Sequence, residues 1–245
     1  MALPKDSLDG SVRLFAHRGG KAHAPENTLE AFGLALRLGA TALESDAWLS
    51  QDGKAVLHHD PKVGHALRKL TIASTPYSEL PAHLPTLDHL YELIANTPTG
   101  VPTPASVDIS LDLKDPAVFD AVVTAARRAN AESRLWLCSP SLESLTGWRE
   151  HTTAKLIHSM SLTKIDHGAE RHAAILADRG IDGFNMSYGE WDAGKVAIMH
   201  RFELYALGWD AQHERQIATL INMGIDGIFG DHVDRLVAVA ELYQS

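Results

Sequence analysis

The sequence holds one cysteine, Cys138, in 245 residues. That excludes an internal disulfide framework and any zinc site built from several thiolates. No apolar run approaches the roughly 18 residues of a membrane span. Positive charge is the scarcer sign: 22 Lys and Arg stand against 31 Asp and Glu, a formal net charge of −9, and no Lys/Arg block occurs. This balance argues against extended binding to nucleic acid or an anionic membrane surface. The opening MALPKDSLDG has no apolar signal core. Also missing are G-x-G-x-x-G, the P-loop pattern and H-E-x-x-H, which removes the usual dinucleotide, nucleoside-triphosphate and zincin readings. The expectation is a cytoplasmic protein with no nucleic-acid partner and no stable membrane association.

What is present is the composition of a globular chain, 45% hydrophobic and 22% charged. A length near 250 suits one α/β barrel, so the whole of 1–245 reads as a single domain. Short apolar or β-branched runs at 12–18, 41–48, 106–113, 133–139, 154–159, 181–186, 203–209 and 225–230 predict strands. Helical patterns near 27–38, 86–96, 116–130, 141–150, 167–179, 192–201, 211–223 and 232–243 alternate with them. In 116–130, Val118, Ala121, Val122, Ala125 and Ala126 fall on one face, with Arg127 and Arg128 closing the last turn. Gly39, Gly180 and Gly224 each end a helical pattern before a strand, where a left-handed cap releases the chain. Eight strand–helix units match a (β/α)₈ TIM barrel. An open doubly wound sheet is the alternative, and it has no need to stop at eight.

One further strand, 54–60, follows the 41–48 run across Asp52-Gly53, a strong tight-turn dipeptide. A two-residue turn there sets His59 opposite Asp46. The stretch 61–85, with Gly64, Pro76, Pro81 and Pro85, reads as a short insertion over the barrel top.

Barrel sites sit at the C-terminal strand ends, here His17-Arg18, Glu44 and Asp46, Asp112 and Lys114, Cys138-Ser139, His158, Asn185, Trp209 and Asp231. Glu44 and Asp46, two apart on a strand, share a face. With Asp112 they form three hard oxygen donors, a set for Mg²⁺ or Ca²⁺. The other reading makes them solvated rim acids or partners of Arg18 and Lys114. Fourteen histidines make any one of them weak evidence. His17 stands out because it ends an apolar strand and precedes Arg18-Gly19-Gly20, a setting for a bound phosphate. His59 is a second titratable group in the same mouth, and the pair suits general acid–base work. His58 points the other way. Asn27 with Glu30 reads as a helix cap with its reciprocal partner. Trp209 is either pocket lining or barrel core. Cys138-Ser139 lacks an oriented base and is no nucleophile.

His17-Arg18-Gly19, Pro25-Glu26-Asn27-Thr28, Glu44-x-Asp46, Asp52-Gly53, His59-Asp60, Asp112-Leu113-Lys114, the ALGW ending at Trp209 and the GIDGIFGD ending at Asp231 together resemble the glycerophosphodiester phosphodiesterase family. The resemblance implies a PI-PLC-like barrel and metal-dependent hydrolysis of a small-molecule glycerophosphodiester to sn-glycerol 3-phosphate and an alcohol. It makes His17 and His59 the acid–base pair, and Glu44, Asp46 and Asp112 the ligands of one divalent cation, Mg²⁺ or Ca²⁺. It makes Arg18 and Lys114 the phosphate contacts, with Trp209 beside the substrate. It also implies that the substrate's own 2-hydroxyl attacks first, giving a cyclic phosphate that water opens. The chain departs from the family pattern at Asp112, where Glu is usual, at Asp210, and at Gly230-Asp231-His232 in place of Thr-Asp-x-Pro. Alternatives are lysophospholipase D-type cleavage, which needs an apolar groove from 61–85 and Trp209, and a catalytically silent phosphodiester-binding barrel.

Overall fold

The computed structural model describes residues 7–8, 10–65, 68–97 and 107–244. The strands are β1 (Arg13–Ala16), β2 (Ala42–Leu49), β3 (Ala55–Leu57), β4 (Lys62–His65), β5 (Arg68–Thr71), β6 (Asp108–Leu113), β7 (Leu135–Ser139), β8 (Lys155–Ser159), β9 (Gly183–Ser187), β10 (Tyr205–Trp209) and β11 (Gly227–Gly230). The helices are α1 (Leu29–Arg37), α2 (Leu87–Ala95), α3 (Phe119–Arg128), α4 (Leu142–Trp148), α5 (Gly168–Asp178), α6 (Ala193–Arg201), α7 (Glu214–Met223) and α8 (Val233–Gln244). Eight parallel strands run β1-β11-β10-β9-β8-β7-β6-β2, and β1 also pairs with β2, so the barrel closes. Each predicted barrel strand is found, trimmed at its ends; residue 106, the start of the 106–113 run, lies outside the described residues. Gly39, Gly180 and Gly224 all take the left-handed backbone expected of a cap. No helix among the described residues is long and apolar enough to cross a membrane.

Strand alternation sorts the side chains into two cores. Facing inward, Phe15, Ala42, Trp136, Cys138, Ile157, Leu207 and Phe229 fill the barrel. Phe15 and Phe229 stack at 4.3 Å, and Trp136 meets Tyr205 edge-on at 4.9 Å. Facing outward, residues such as Leu43, Ile109, Leu111, Leu137, Leu156 and Ile228 pack under the helices. The aromatic plug closes the barrel below its C-terminal mouth and separates the polar side chains there from Arg13, Asp108 and Lys155 at the opposite end.

One expectation about the extra strand needs correction. β2 and β3 do pair antiparallel, but the register sets Ala47 against Leu57 and Leu49 against Ala55. His58, not His59, therefore lies opposite Asp46, and its N–H donates to the Asp46 carbonyl at 3.0 Å. The cause is a three-residue turn: Ser50 N–H bonds Lys54 O, Gly53 is left-handed at φ 78°, and Asp52 accepts from the Ser50 hydroxyl and from Tyr77 N–H. The stretch 61–85 has structure of its own. It contains the antiparallel β4–β5 pair, and Val63, Ile72, Leu80 and Leu84 build a small core on Val56.

His158 is also misplaced by the strand-end reading. It alternates with Ile157 and Ser159, so it faces outward under α5 and not into the mouth. Its Nε2 lies 3.2 Å from the Pro140 carbonyl, its Nδ1 3.0 Å from His172 Nε2, and His172 Nδ1 3.2 Å from His167 Nε2. A carbonyl only accepts, so His158 must donate from Nε2 and accept at Nδ1, and the order passes down the row. Each ring is then neutral with one proton. Burial pushes His172 down to about 4, and its two imidazole neighbours add to this. Because the folded state resists a proton that the unfolded chain accepts, this contribution is intact above pH 6.5 and is lost as pH falls toward 4. The melting temperature of His172→Phe should therefore fall less than that of the wild type between those two pH values. Parallel melting curves against pH for the two proteins would remove the argument.

Candidate active site

The mouth is built by register. On β2, Glu44 and Asp46 both turn inward, and the parallel ladder sets Asp46 directly beside Asp112 of β6. Glu44 and Asp46 are buried, and oxygens of the three carboxylates lie within 4.8 Å of one another. The shorter arm of Asp112 therefore still reaches the group. Asp46 is the most heavily countered: Lys114 Nζ lies 2.9 Å away, Arg18 Nε 3.4 Å and Asn27 Nδ2 3.4 Å. Lys114 also reaches Asp112 at 3.2 Å.

Charge packed this closely shifts every partner. Burial pushes Glu44 up to about 8; Asp46 and Asp112 add to the rise, while His17 and the Arg18 N–H oppose it. Burial also raises Asp112, with Lys114 opposing and Asp46 reinforcing. For Lys114, burial favours the neutral amine, but Asp112 and Asp46 outweigh it and hold the ammonium charged.

The turn after β1 aims two more groups at this cluster. Arg18, Gly19 and Gly20 take φ values of 50, 82 and 78° in succession, a strained setting that costs on the order of 1–3 kcal/mol for a non-glycine residue. Gly19 cannot be replaced simply, because a Cβ would stand 2.8 Å from Ala31 Cβ. In exchange the Arg18 N–H donates to Glu44 Oε2 at 2.8 Å, and its Nη1 pairs with Glu26 at 3.0 Å. Arg18 Nε is buried and makes no hydrogen bond, since the 3.4 Å approach to Asp46 is poorly aligned.

His17 Nδ1 sits 2.6 Å from Asp231 Oδ1. The ionised carboxylate only accepts, so Nδ1 carries the proton and Nε2, 3.8 Å from Glu44, presents its lone pair to the cavity. Burial lowers the His17 pKa, but the Asp231 hydrogen bond and the charges of Glu44 and Asp231 override it and leave it raised. Asp231 is lowered in turn: burial opposes this, and the His17 contacts and Lys21 prevail.

A cavity of about 580 Å³ opens above, lined by His17, Arg18, Glu44, Asp112, Asn185 and Trp209 among others. Trp209 is 36% exposed, so it lines the pocket and is not barrel core. His59 is not among the residues that line this cavity. It follows β3, its Nδ1 is 2.9 Å from Asp60 Oδ1, and its carbonyl accepts from Trp48 Nε1. Among the predicted site residues, the structure brings together Glu44, Asp46, Asp112, His17, Arg18, Lys114 and Trp209.

Three residues here escaped assignment from sequence. Asp231 was legible as a strand end and as the end of the GIDGIFGD run, with no role attached to it. Asn27 is not the helix cap: Thr28 caps α1 by accepting from Ala31 N–H. Asn27 instead adopts φ 55° and turns inward, accepting from the Ser45 hydroxyl at 2.7 Å. Asn185 is buried, donates to Ser159 Oγ at 3.3 Å and leaves its Oδ1 without a partner beside the cavity.

The model of the glycerophosphoryl diester phosphodiesterase family matches residues 17–235. A glycerophosphodiester phosphodiesterase of Bacillus altitudinis is 26% identical over 251 residues, covering 94% of this chain and 98% of that protein. Among solved structures, the glycerophosphodiester phosphodiesterase of Thermotoga maritima superposes with a TM-score of 0.76 at 23% identity, covering 94% and 98% of the two chains. An Oleispira antarctica phosphodiesterase, solved with the product sn-glycerol 3-phosphate, gives 0.80 at 21% identity, covering 97% and 100%. The two structures are alike in fold.

Replacing Asp231 by Asn keeps the shape and removes the charge that holds His17 up against burial. The His17 imidazole of metal-free Asp231→Asn should titrate at lower pH than in the wild type, as followed by NMR of its ring protons. A His17 titration that stays in place would show that Asp231 does not set it.

Proposed function

The chain belongs to the glycerophosphoryl diester phosphodiesterase family, and from that premise we propose that its 1–245 domain releases sn-glycerol 3-phosphate from small-molecule glycerophosphodiesters at this mouth. The class of reaction is phosphoric diester hydrolysis. The observation that carries the residue assignment is the meeting of three carboxylates, two cations and the Nε2 lone pair of His17 at one cavity.

A divalent cation fits Glu44, Asp46 and Asp112. All three donors are oxygens, within reach of one another, which suits Mg²⁺ or Ca²⁺. Burial, reinforced by the charges of Asp46 and Asp112, drives Glu44 toward its protonated form, and a cation held there would oppose that drive. When bound, such an ion supplies Lewis-acid polarisation of a phosphoryl oxygen. The remaining work belongs to the chain. Lys114, and the unpaired Nε–H of Arg18, take the phosphate charge. His17 moves a proton at Nε2 while Asp231 holds its tautomer and steadies the imidazolium. His59 serves as the partner acid or base, on the strength of the motif match His59-Asp60. The cavity has room for the substrate's glycerol 2-hydroxyl to be held as first nucleophile, which gains orientation that a free water lacks. Asn185 Oδ1 offers an acceptor for a substrate hydroxyl. The lysophospholipase D reading called for an apolar groove from 61–85 and Trp209; Trp209 lines the cavity, whereas the described residues of 61–85 contribute nothing to its lining.

Glycerol 3-phosphate release from glycerophosphocholine should stop with EDTA and return with Mg²⁺ or Ca²⁺. Full turnover after exhaustive chelation overturns the cation assignment, and failure to cleave any glycerophosphodiester in the presence of metal overturns the whole reading.

His17→Ala and His59→Ala should each lower turnover roughly 10²–10⁴-fold, the usual worth of a positioned acid or base, without abolishing metal binding. Their effects should not multiply, because each breaks the same proton relay. A p-nitrophenyl leaving group, which needs little protonation, should rescue only the variant lacking the general acid. Wild-type rates in both variants would defeat the acid–base pair.

A further inference from the structure

On the rim of the same barrel end, a second set of metal-binding side chains converges that shares no residue with the mouth cluster. Because β1 and β11 are neighbours, with Ala16 beside Gly230, the turn after β1 meets the start of α8. His23 Nε2 lies 3.0 Å from Asp234 Oδ1. The His23 and His232 rings stand 6.0 Å apart and nearly perpendicular, and one donor atom from each of His23, His232 and Asp234 lies within 4.8 Å of the others. We propose that these three side chains bind a zinc-type divalent ion, and that the ion clasps the turn following His17 to the segment that carries Asp231.

The donor set decides the class of ion. Two imidazoles and one carboxylate are borderline donors that favour Zn²⁺ and its transition-metal neighbours over Mg²⁺ or Ca²⁺, the reverse of the all-oxygen cluster in the mouth. Three protein ligands leave one tetrahedral position for water. Zinc–nitrogen bonds of about 2.0–2.1 Å put neighbouring ligands about 3.3–3.4 Å apart. The His23–Asp234 pair, at 3.0 Å, is within a few tenths of an ångström of that spacing, and His232 has a donor atom within 4.8 Å of both, so binding needs an adjustment of side chains. The side chains have the freedom for it, since His23 is 23% exposed and Asp234 56%. The positive end of α8 works against a cation, and Asp234 in its first turn supplies the compensating charge. Lys21, in the same turn as His23, pairs with Asp231 at 3.5 Å.

The backbone already joins the two segments: Ala22 N–H donates to Asp231 O at 3.4 Å, and Gly20 packs against Val233. An ion across His23, His232 and Asp234 would fix the same junction from the outside. His232 stands in the stretch where this chain departs from the family pattern.

The test uses the full chain saturated with Mg²⁺, titrated with Zn²⁺ in a calorimeter and with Co²⁺ by visible absorption. One ion per chain should bind despite the Mg²⁺, with the d–d bands of a nitrogen-ligated Co²⁺ and a rise in melting temperature on adding Zn²⁺. His23→Ala, His232→Ala and the near-isosteric Asp234→Asn should each weaken this binding at least about tenfold, since even outer partners of a ligand are worth that much. Glu44→Gln should leave it unchanged. No zinc binding in the presence of Mg²⁺, or binding that Glu44→Gln removes and the three rim variants retain, overturns the proposal and leaves His23 and Asp234 a surface ion pair. Melting curves without added metal establish that each variant is folded.

Discussion

Three carboxylates held at the mouth of a closed barrel repel one another, and the neighbouring chain is arranged around that repulsion. In water their mutual energies would be small, but low-dielectric walls multiply them several-fold. Lys114 is fixed between Asp46 and Asp112, Arg18 is bent into a left-handed turn to reach Glu44 through its backbone and Asp46 through its side chain, and Asn27 leaves the helix start to approach Asp46. Burial and the two neighbouring acids still hold Glu44 up at about 8. The three carboxylates form an acidic cluster that could hold a metal ion. The backbone strain at Arg18 is a cost of this arrangement, and it is met by the barrel, whose register holds β1 and β2 in place regardless of what the turn between them does.

The barrel supplies that register cheaply. Parallel strands alternate their side chains strictly, so one choice of face on β2 and β6 decides the position of all three acids. The aromatic layer of Phe15, Trp136 and Phe229 lies one step below Glu44 and Asp112 on the same inward face, and it separates the charged mouth from the lower barrel. Apolar packing and polar chemistry thus occupy successive layers of the same strands, and neither interrupts the other.

This layering explains which features were legible in the sequence. Period-two runs and glycine caps are local signals, and they located the eight strands and helices and the inward pairing of Glu44 with Asp46. The strand-end rule supplied Asp112, Lys114 and Trp209, and the family resemblance their roles. The errors arose where a long-range contact outweighed a local preference. Asn27 looks like a cap from its neighbours, but Ser45 and Asp46, 18 and 19 residues away, claim its amide. The Asp52-Gly53 dipeptide permits either a two- or a three-residue turn, and the bond from Tyr77 to Asp52, 25 residues distant, accompanies the longer one. Asp231 is 214 residues from His17, and no pattern within the chain pairs them before the barrel closes.

The two histidine systems show how far a partner, and not the residue type, sets the chemistry. His17 and His158 each end a barrel strand, and each ring has one nitrogen fixed by an oxygen. For His17 the oxygen belongs to a carboxylate, whose charge overcomes burial and raises the ring's affinity for a proton. For His158 the oxygen is the uncharged Pro140 carbonyl, burial prevails, and the ring passes a fixed donor–acceptor order to His172 and His167. The first is suited to moving a proton at the mouth. The second is suited to holding α5 against the barrel so long as no proton enters. The strand's alternation chooses between them, since His17 emerges above an inward Phe15 with Asp231 in reach, whereas His158 faces outward between Ile157 and Ser159, where only a carbonyl and other imidazoles can meet it.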